Sequence, residues 1–150
     1  MMNELNYSEL LNEITEKLQK EKSITFATCA DNQVMARVIC HINYGVNILF
    51  STSMKSQKVA QIKSNPKVAL AVDNIKVEGI AELYGHPSSH ETFGADYAGK
   101  YPHLGSLYES KPDDVLVIIK PTKIALYKYI NGPCEDILLP LENKAYRLNL

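Results

Sequence analysis

The segment Phe50 to Leu70, FSTSMKSQKVAQIKSNPKVAL, gathers the residue types that hold a phosphorylated ligand. An apolar stretch ends in the hydroxyls of Ser51, Thr52, Ser53 and Ser56, interleaved with Lys55 and Lys58. An amphipathic helical pattern follows at once and stops at Asn65-Pro66. Hydroxyl donors, ammonium groups and the free N–H groups of a helix start together suit a phosphate dianion. A cation in a first helical turn opposes the macrodipole, so Lys58 is better explained when an anion lies beside it. Taken alone it would be an ordinary solvated lysine. Arg37 is the second candidate. It is one of two arginines, the other being Arg147, against fourteen lysines, and it sits inside the apolar run VMARVIC. A guanidinium in a strand needs an anionic partner, because burying its charge unpaired is costly. For this residue alone, a phosphate and one of the seventeen carboxylates are equally good partners.

Other constellations carry less. His86 and His90 are spaced like metal ligands, with His103 further on, but His86-Pro87-Ser88-Ser89 reads as a turn. No cysteine or carboxylate completes a zinc set, and residue order supports no Ser-His-Asp or Cys-His arrangement. Cys29 and Cys40 lie in apolar segments and read as reduced core thiols; Cys134, beside Gly132-Pro133, reads as a loop thiol. The odd cysteine count points to a cytoplasmic protein. A net charge of −1 lacks the basic excess of a nucleic-acid or membrane-surface partner. The longest strongly apolar run, Val115 to Ile119, is far short of the ~20 residues of a membrane helix. The start, MMNELNYSELL, lacks the pattern of a signal peptide.

The elements that must position these residues fit one domain, 1–150, long enough for a single core. Leu10, Leu11, Ile14 and Leu18 share one helical face, predicting a helix over Tyr7 to Lys20 with Ser8 as a possible cap. Strands follow over Ser23 to Cys29, Gln33 to Tyr44 and Val46 to Ser51, with turns at Asp31-Asn32 and Asn43-Tyr44-Gly45. After the helix Gln57 to Ser64, the segment Lys67 to Asp73 is apolar on both faces, as in a central strand. Lys76 to Tyr84 alternates, with Val77, Gly79, Ala81 and Leu83 on one face. A helical region over Ser88 to Lys100 and strands over Asp113 to Lys120 and Lys123 to Ile130 complete the chain. Six or seven strands in hairpin order, without regular helix alternation, predict a mainly β protein with flanking helices rather than a parallel sheet. No dinucleotide or P-loop glycine pattern is present.

The run ARVIC…NILFSTSMKSQKVAQIKSNPKVAL…IKVEGIAELYG resembles the FMN-binding split-barrel superfamily typified by pyridoxamine 5′-phosphate oxidases. The elements that carry the resemblance are Arg37, Ser51-Thr52, Ser56-Gln57-Lys58, Asn65-Pro66 and Val77-Glu78-Gly79-Ile80-Ala81, over about Ile24 to Gly85. The resemblance implies a six-stranded antiparallel split β-barrel with short packing helices, a homodimer, and FMN at the dimer interface. Arg37 and Lys58 would then hold the flavin phosphate with Ser51, Thr52 and Ser56. The backbone of Arg37, Val38 and Ile39 would follow the isoalloxazine edge. Asn74 stands at the position of a family glutamine that could bond the flavin or its ribityl chain.

Two departures matter. Gln57 stands where the oxidases usually carry an arginine, weakening one phosphate contact. The tail EDILLPLENKAYRLNL has no counterpart of the arginine- and histidine-containing segment that binds the vitamin B6 phosphate, which argues against true pyridoxamine phosphate oxidase activity. The expected function is an FMN-dependent oxidoreductase acting on a small substrate not identified by the sequence, with no catalytic acid or base assigned. The alternative is a non-enzymatic flavin- or haem-binding, sequestering or sensor module on the same barrel. His41, on the Arg37 face, is the one histidine to consider as a haem ligand.

Overall fold

The computed structural model describes residues 2–104 and 111–150. Its elements are β1 (Met2–Glu4), α1 (Tyr7–Lys20), β2 (Ile24–Ala30), β3 (Gln33–Ile39), β4 (Ile42–Tyr44) and β5 (Asn47–Ser53). Then come α2 (Gln57–Ser64), β6 (Lys67–Val72), β7 (Ile75–Gly85), α3 (Phe93–Lys100), β8 (Asp114–Tyr129), β9 (Pro133–Leu139) and β10 (Lys144–Asn149). All pairings are antiparallel, in the order β1-β10-β9-β8-β7-β6-β2-β3, with β5 joined to both β4 and β8.

The hairpins form where the turn residues tolerate positive φ. Asp31 and Asn32, at 51° and 63°, join β2 to β3, and Gly45, at 58°, turns β4 into β5. The long strand β8 organises the rest. Along one edge it pairs with β7; along the other its first half pairs with β5 and its second half with β9. The six strands β2, β3, β5, β6, β7 and β8 therefore wrap one core, while β3 and β5 are not laddered to each other. This is an antiparallel split barrel. Helix α2 packs beside β2, contributing Val59 and Ile62 to the core, and α1 adds Leu10, Ile14 and Leu18.

A second apolar cluster, Ile42, Leu49, Phe93, Tyr101 and Leu116, fastens α3 to the outside of β4, β5 and β8. That explains the run Val115–Ile119: Val115, Val117 and Ile119 face the barrel core, and Leu116 faces α3. Phe93 and Tyr101, both buried, anchor the helix to the barrel wall.

The structure corrects several predicted boundaries. The strand expected over Gln33 to Tyr44 breaks at Cys40-His41, where the chain leaves β3 for β4. The two strands expected either side of Pro121 are one 16-residue strand, because the register shift between Glu78 and Gly79 absorbs the proline without ending the ladder. Gly79 makes that possible: a Cβ there would lie 2.9 Å from the Lys120 carbonyl oxygen. The helix expected from Ser88 begins only at Phe93, after a 3-10 turn at Pro87–Ser89. The cap of α1 is Asn6, whose Oδ1 accepts from Glu9 N at 3.0 Å, rather than Ser8. The tail continues as β9 and β10, which places Cys134 in a strand and buries it. Residues 105–110, beyond the helical region expected over Ser88 to Lys100, lie outside the described residues.

Candidate functional site

Arg37 lies opposite Phe26 in the β2–β3 ladder, so both side chains point to the barrel side of the sheet. The guanidinium sits over the Phe26 ring, 5.6 Å from its centroid, and Phe26 packs edge-on against Phe50 of β5. Its protein partners are all neutral acceptors. Nη1 donates to Thr28 Oγ1 at 2.8 Å and Phe26 O at 3.3 Å, and Nη2 donates to Gln61 Oε1 at 3.4 Å. Thr28 and Gln61 are themselves buried and joined by a short hydrogen bond. The second arginine is the opposite case: Arg147 forms a bidentate pair with Asp136, at 2.6 and 2.9 Å, which Lys128 also joins.

Lys58 extends from the first turn of α2, whose N-cap Ser56 accepts from Val59 N through Oγ at 3.4 Å. Burial, and then the neighbouring Arg37 charge, lower the Lys58 pKa. Burial alone lowers that of Arg37. Among the described residues neither cation forms an ion pair, whereas nearby Lys55 reaches Asp113 at 3.1 Å. With Arg37 close enough to depress Lys58, and no carboxylate paired to either among the described residues, the two form a local excess of positive charge that a dianion would relieve.

The strand pattern sorts the remaining candidates. Along β5, Thr52 shares the face of Ile48 and Phe50, on the barrel side; Ser51 shares the face of Leu49, toward α3. Gln57 is exposed beside Lys58. Ile39 points into the core, and Val38 points out of the sheet, 66% exposed. Because β3 ends the sheet order, the backbone of Arg37 to Ile39 runs along an edge with no ladder on its second side. Asn74 is not brought to Arg37 and Lys58 within one chain. It lies in the β6–β7 turn, where Nδ2 donates to Tyr127 O at 2.7 Å and the buried Oδ1 has no partner.

His41 is fully enclosed, with Nε2 3.0 Å from Leu18 O and a pKa lowered to about 4, first by burial and then by Lys100. An imidazole held behind α1 is not offered to a haem iron. The residues missed in the sequence are Thr28 and Gln61. The available signal was a glutamine on the apolar face of α2, between Val59 and Ile62.

The described residues form an antiparallel split barrel in which Arg37 and Lys58, two neighbouring cations in no ion pair, lie near an open strand edge. A sequence model described as pyridoxamine 5′-phosphate oxidase matches residues 10–128, and the chain belongs to that family. A curated relative, the pyridoxine/pyridoxamine 5′-phosphate oxidase of Anaplasma marginale (strain St. Maries), is 34% identical over 85 residues. That match spans 51% of this chain but only 39% of the relative's length. Among solved structures, General Stress Protein 26 from Bacillus anthracis str. Sterne superposes with a TM-score of 0.65 at 20% identity, over 87% of this chain and 98% of its own. An FAD-binding protein from Mesorhizobium loti gives 0.60 at 13%, over 83% and 95%. The haem storage protein HutZ from Vibrio cholerae gives 0.61 at 14%, over 73% and 88%. At these identities the structural likenesses show the fold.

Proposed function

We propose that the chain is an FMN-dependent oxidoreductase acting on a small substrate, as a homodimer in the cytoplasm. The observation that carries the reading is the pairing of Arg37 and Lys58, two cations without a carboxylate partner among the described residues. Arg37, Lys58, Thr52 and Ser56 would bind the FMN phosphate, with Ser51 and Gln57 at its margin. The free edge at Arg37, Val38 and Ile39 would receive the ring system. When bound, the flavin supplies the redox chemistry, and the protein orients it and sets its surroundings. Three charge-assisted contacts of about 1.5–3 kcal/mol each are enough for micromolar binding after association costs. Membership of the oxidase family and the flavin-binding protein among the fold relatives support a flavin.

The outer face of β3, β2 and β6 supports the homodimer. It exposes Val34 at 73% and Val38 at 66%, together with Ala36, Ala69 and Ala71. Two grooves of about 330 and 570 Å³ run over this face. An apolar sheet face of this kind, beside a free edge strand, is normally covered in the assembled protein. Asn74 would reach a flavin only as a contribution from a second chain. No helix among the described residues is long and apolar enough to cross a membrane.

Fluorescence titration with FMN tests the reading. Arg37→Ala and Lys58→Ala are each expected to weaken binding about tenfold or more, equivalent to 1.4 kcal/mol. Unchanged affinity in both variants would put the phosphate elsewhere. Reduction of the bound flavin by NADH or NADPH would then separate an enzyme from a flavin reservoir.

A further inference from the structure

We propose that the groove between α1, β4 and α3 is a covalent capture site for small aromatic aldehydes, which the amine of Lys100 takes up as an imine. The site is separate from the Arg37–Lys58 pair and does not depend on the flavin reading. The groove holds about 370 Å³ and is lined by Gln19, Ile42, Asn43, Tyr44, Asp96 and Lys100. That is room for one substituted benzene ring.

Three features select this ligand. The first is the amine, which ends 3.5 Å from Leu18 O and 3.4 Å from His41 Nε2, 5.5 Å from the Tyr101 ring centroid, and in no ion pair among the described residues. The charged or titratable groups around it are Lys22 and Glu21 beyond the end of α1, Cys40 and His41 before β4, and Asp96 on its own helix. Burial first, and then Lys22, bring its pKa down to about 8, against weaker opposition from Cys40 and Glu21. The second is the wall: Tyr44 is held in place by its hydroxyl, which donates to Asp96 and accepts from Thr92, and by stacking on His90. The third is the floor. Asn43, 8% exposed, donates through Nδ2 to Thr15 O and Gly45 O, while its Oδ1 is buried without a partner. Those two bonds to main-chain carbonyls hold the Asn43 side chain rigid beneath the groove.

The chemistry needs no oxidant or reductant. The amine lone pair forms the N–C bond as the carbonyl oxygen takes a proton from water, and the nitrogen returns one proton to the hydroxide so formed. The carbinolamine hydroxyl takes up a second proton as its C–O bond breaks and water leaves, and the nitrogen gives up its last proton to leave the neutral imine. Near neutral pH the unprotonated fraction of this amine exceeds that of an ordinary lysine on the order of a hundredfold. Its lower basicity takes back part of that advantage.

The test is to incubate the full chain with salicylaldehyde, reduce the imine with borohydride and map the adduct by peptide mass spectrometry. Lys100 should carry at least about tenfold more label than the mean of the other thirteen lysines. Its labelling rate should saturate with aldehyde concentration and rise with pH through a midpoint near 8. Lys100→Arg, which keeps the charge and the contact to Leu18, should remove this label and leave the circular dichroism unchanged. Label spread over the lysines by exposure would overturn the proposal. So would a rate at Lys100 linear in aldehyde, since that describes a reactive amine without a site.

Discussion

Replacing Gln61 with glutamate changes almost no volume, yet it turns the neutral acceptor beside Arg37 into an anion. Arg37 Nη2 lies 3.4 Å from Gln61 Oε1. A unit charge pair at that separation, in a site of effective dielectric ~20, interacts by about 5 kcal/mol. Loss of solvent around a half-buried pair offsets much of this, leaving about 1.5–3 kcal/mol, the range of a charge-assisted hydrogen bond. In the free protein that energy is a gain, since Arg37 acquires a partner. For a phosphate it is a loss, because the new carboxylate neutralises one of two cations and repels the dianion. The FMN dissociation constant should rise about 10- to 150-fold. Gln61→Met, similar in length and uncharged, is the control: it loses the acceptor and the weak bond to Gln33 O at 3.4 Å, but adds no charge. Fluorescence titration of both variants against the parent protein separates charge from packing. A folded Gln61→Glu protein that binds FMN as tightly as the parent would refute the assignment of Arg37 to the phosphate.

Three further outcomes follow from the geometry. Gly79→Ala should destabilise the fold by about 1–3 kcal/mol in chemical denaturation, because the added Cβ meets backbone that cannot move aside. Stability should fall as pH drops from about 6.5 toward 4. His41 is held neutral in the fold with a pKa of about 4, so below its ordinary value the unfolded chain binds the proton first. The ceiling is about 3 kcal/mol, and urea midpoints of the parent and His41→Gln across that range measure it; parallel curves would exclude His41 as the cause. Val38→Asp, at a position already 66% exposed, should leave the chain folded yet shift it to the monomer in analytical ultracentrifugation. An unshifted dimer would mean that the pairing surface lies elsewhere.

The barrel was legible because its signals are local. Positive-φ residues at Asp31-Asn32 and Gly45, the alternation of β7 and the apolar stripe of α1 each fix an element without reference to distant chain. What escaped was decided by partners far along the chain. Pro121 looks like a break, but pairing with the bulge before Gly79 keeps β8 continuous. The tail has little periodicity of its own and becomes β9 and β10 because half an edge of β8 is open to it. Around the site, residue type singled out Arg37 and Lys58, while Thr28 and Gln61 went unnoticed. A threonine and a glutamine acquire meaning only when the fold sets them against a guanidinium. Similarly, Ser51 and Thr52 read as one hydroxyl pair until alternation sends them to opposite faces.

The divided edge of β8 ties the closing hairpin into the barrel. The family match stops at residue 128, near the end of β8, and the hairpin pairs with the half of that edge which β5 leaves free. Leu138 of β9 and Ala145 of β10 enter the same core as Ile124 and Leu126 of β8. Removing the hairpin would therefore uncover the barrel's own interior, which makes it a plug and not an appendage.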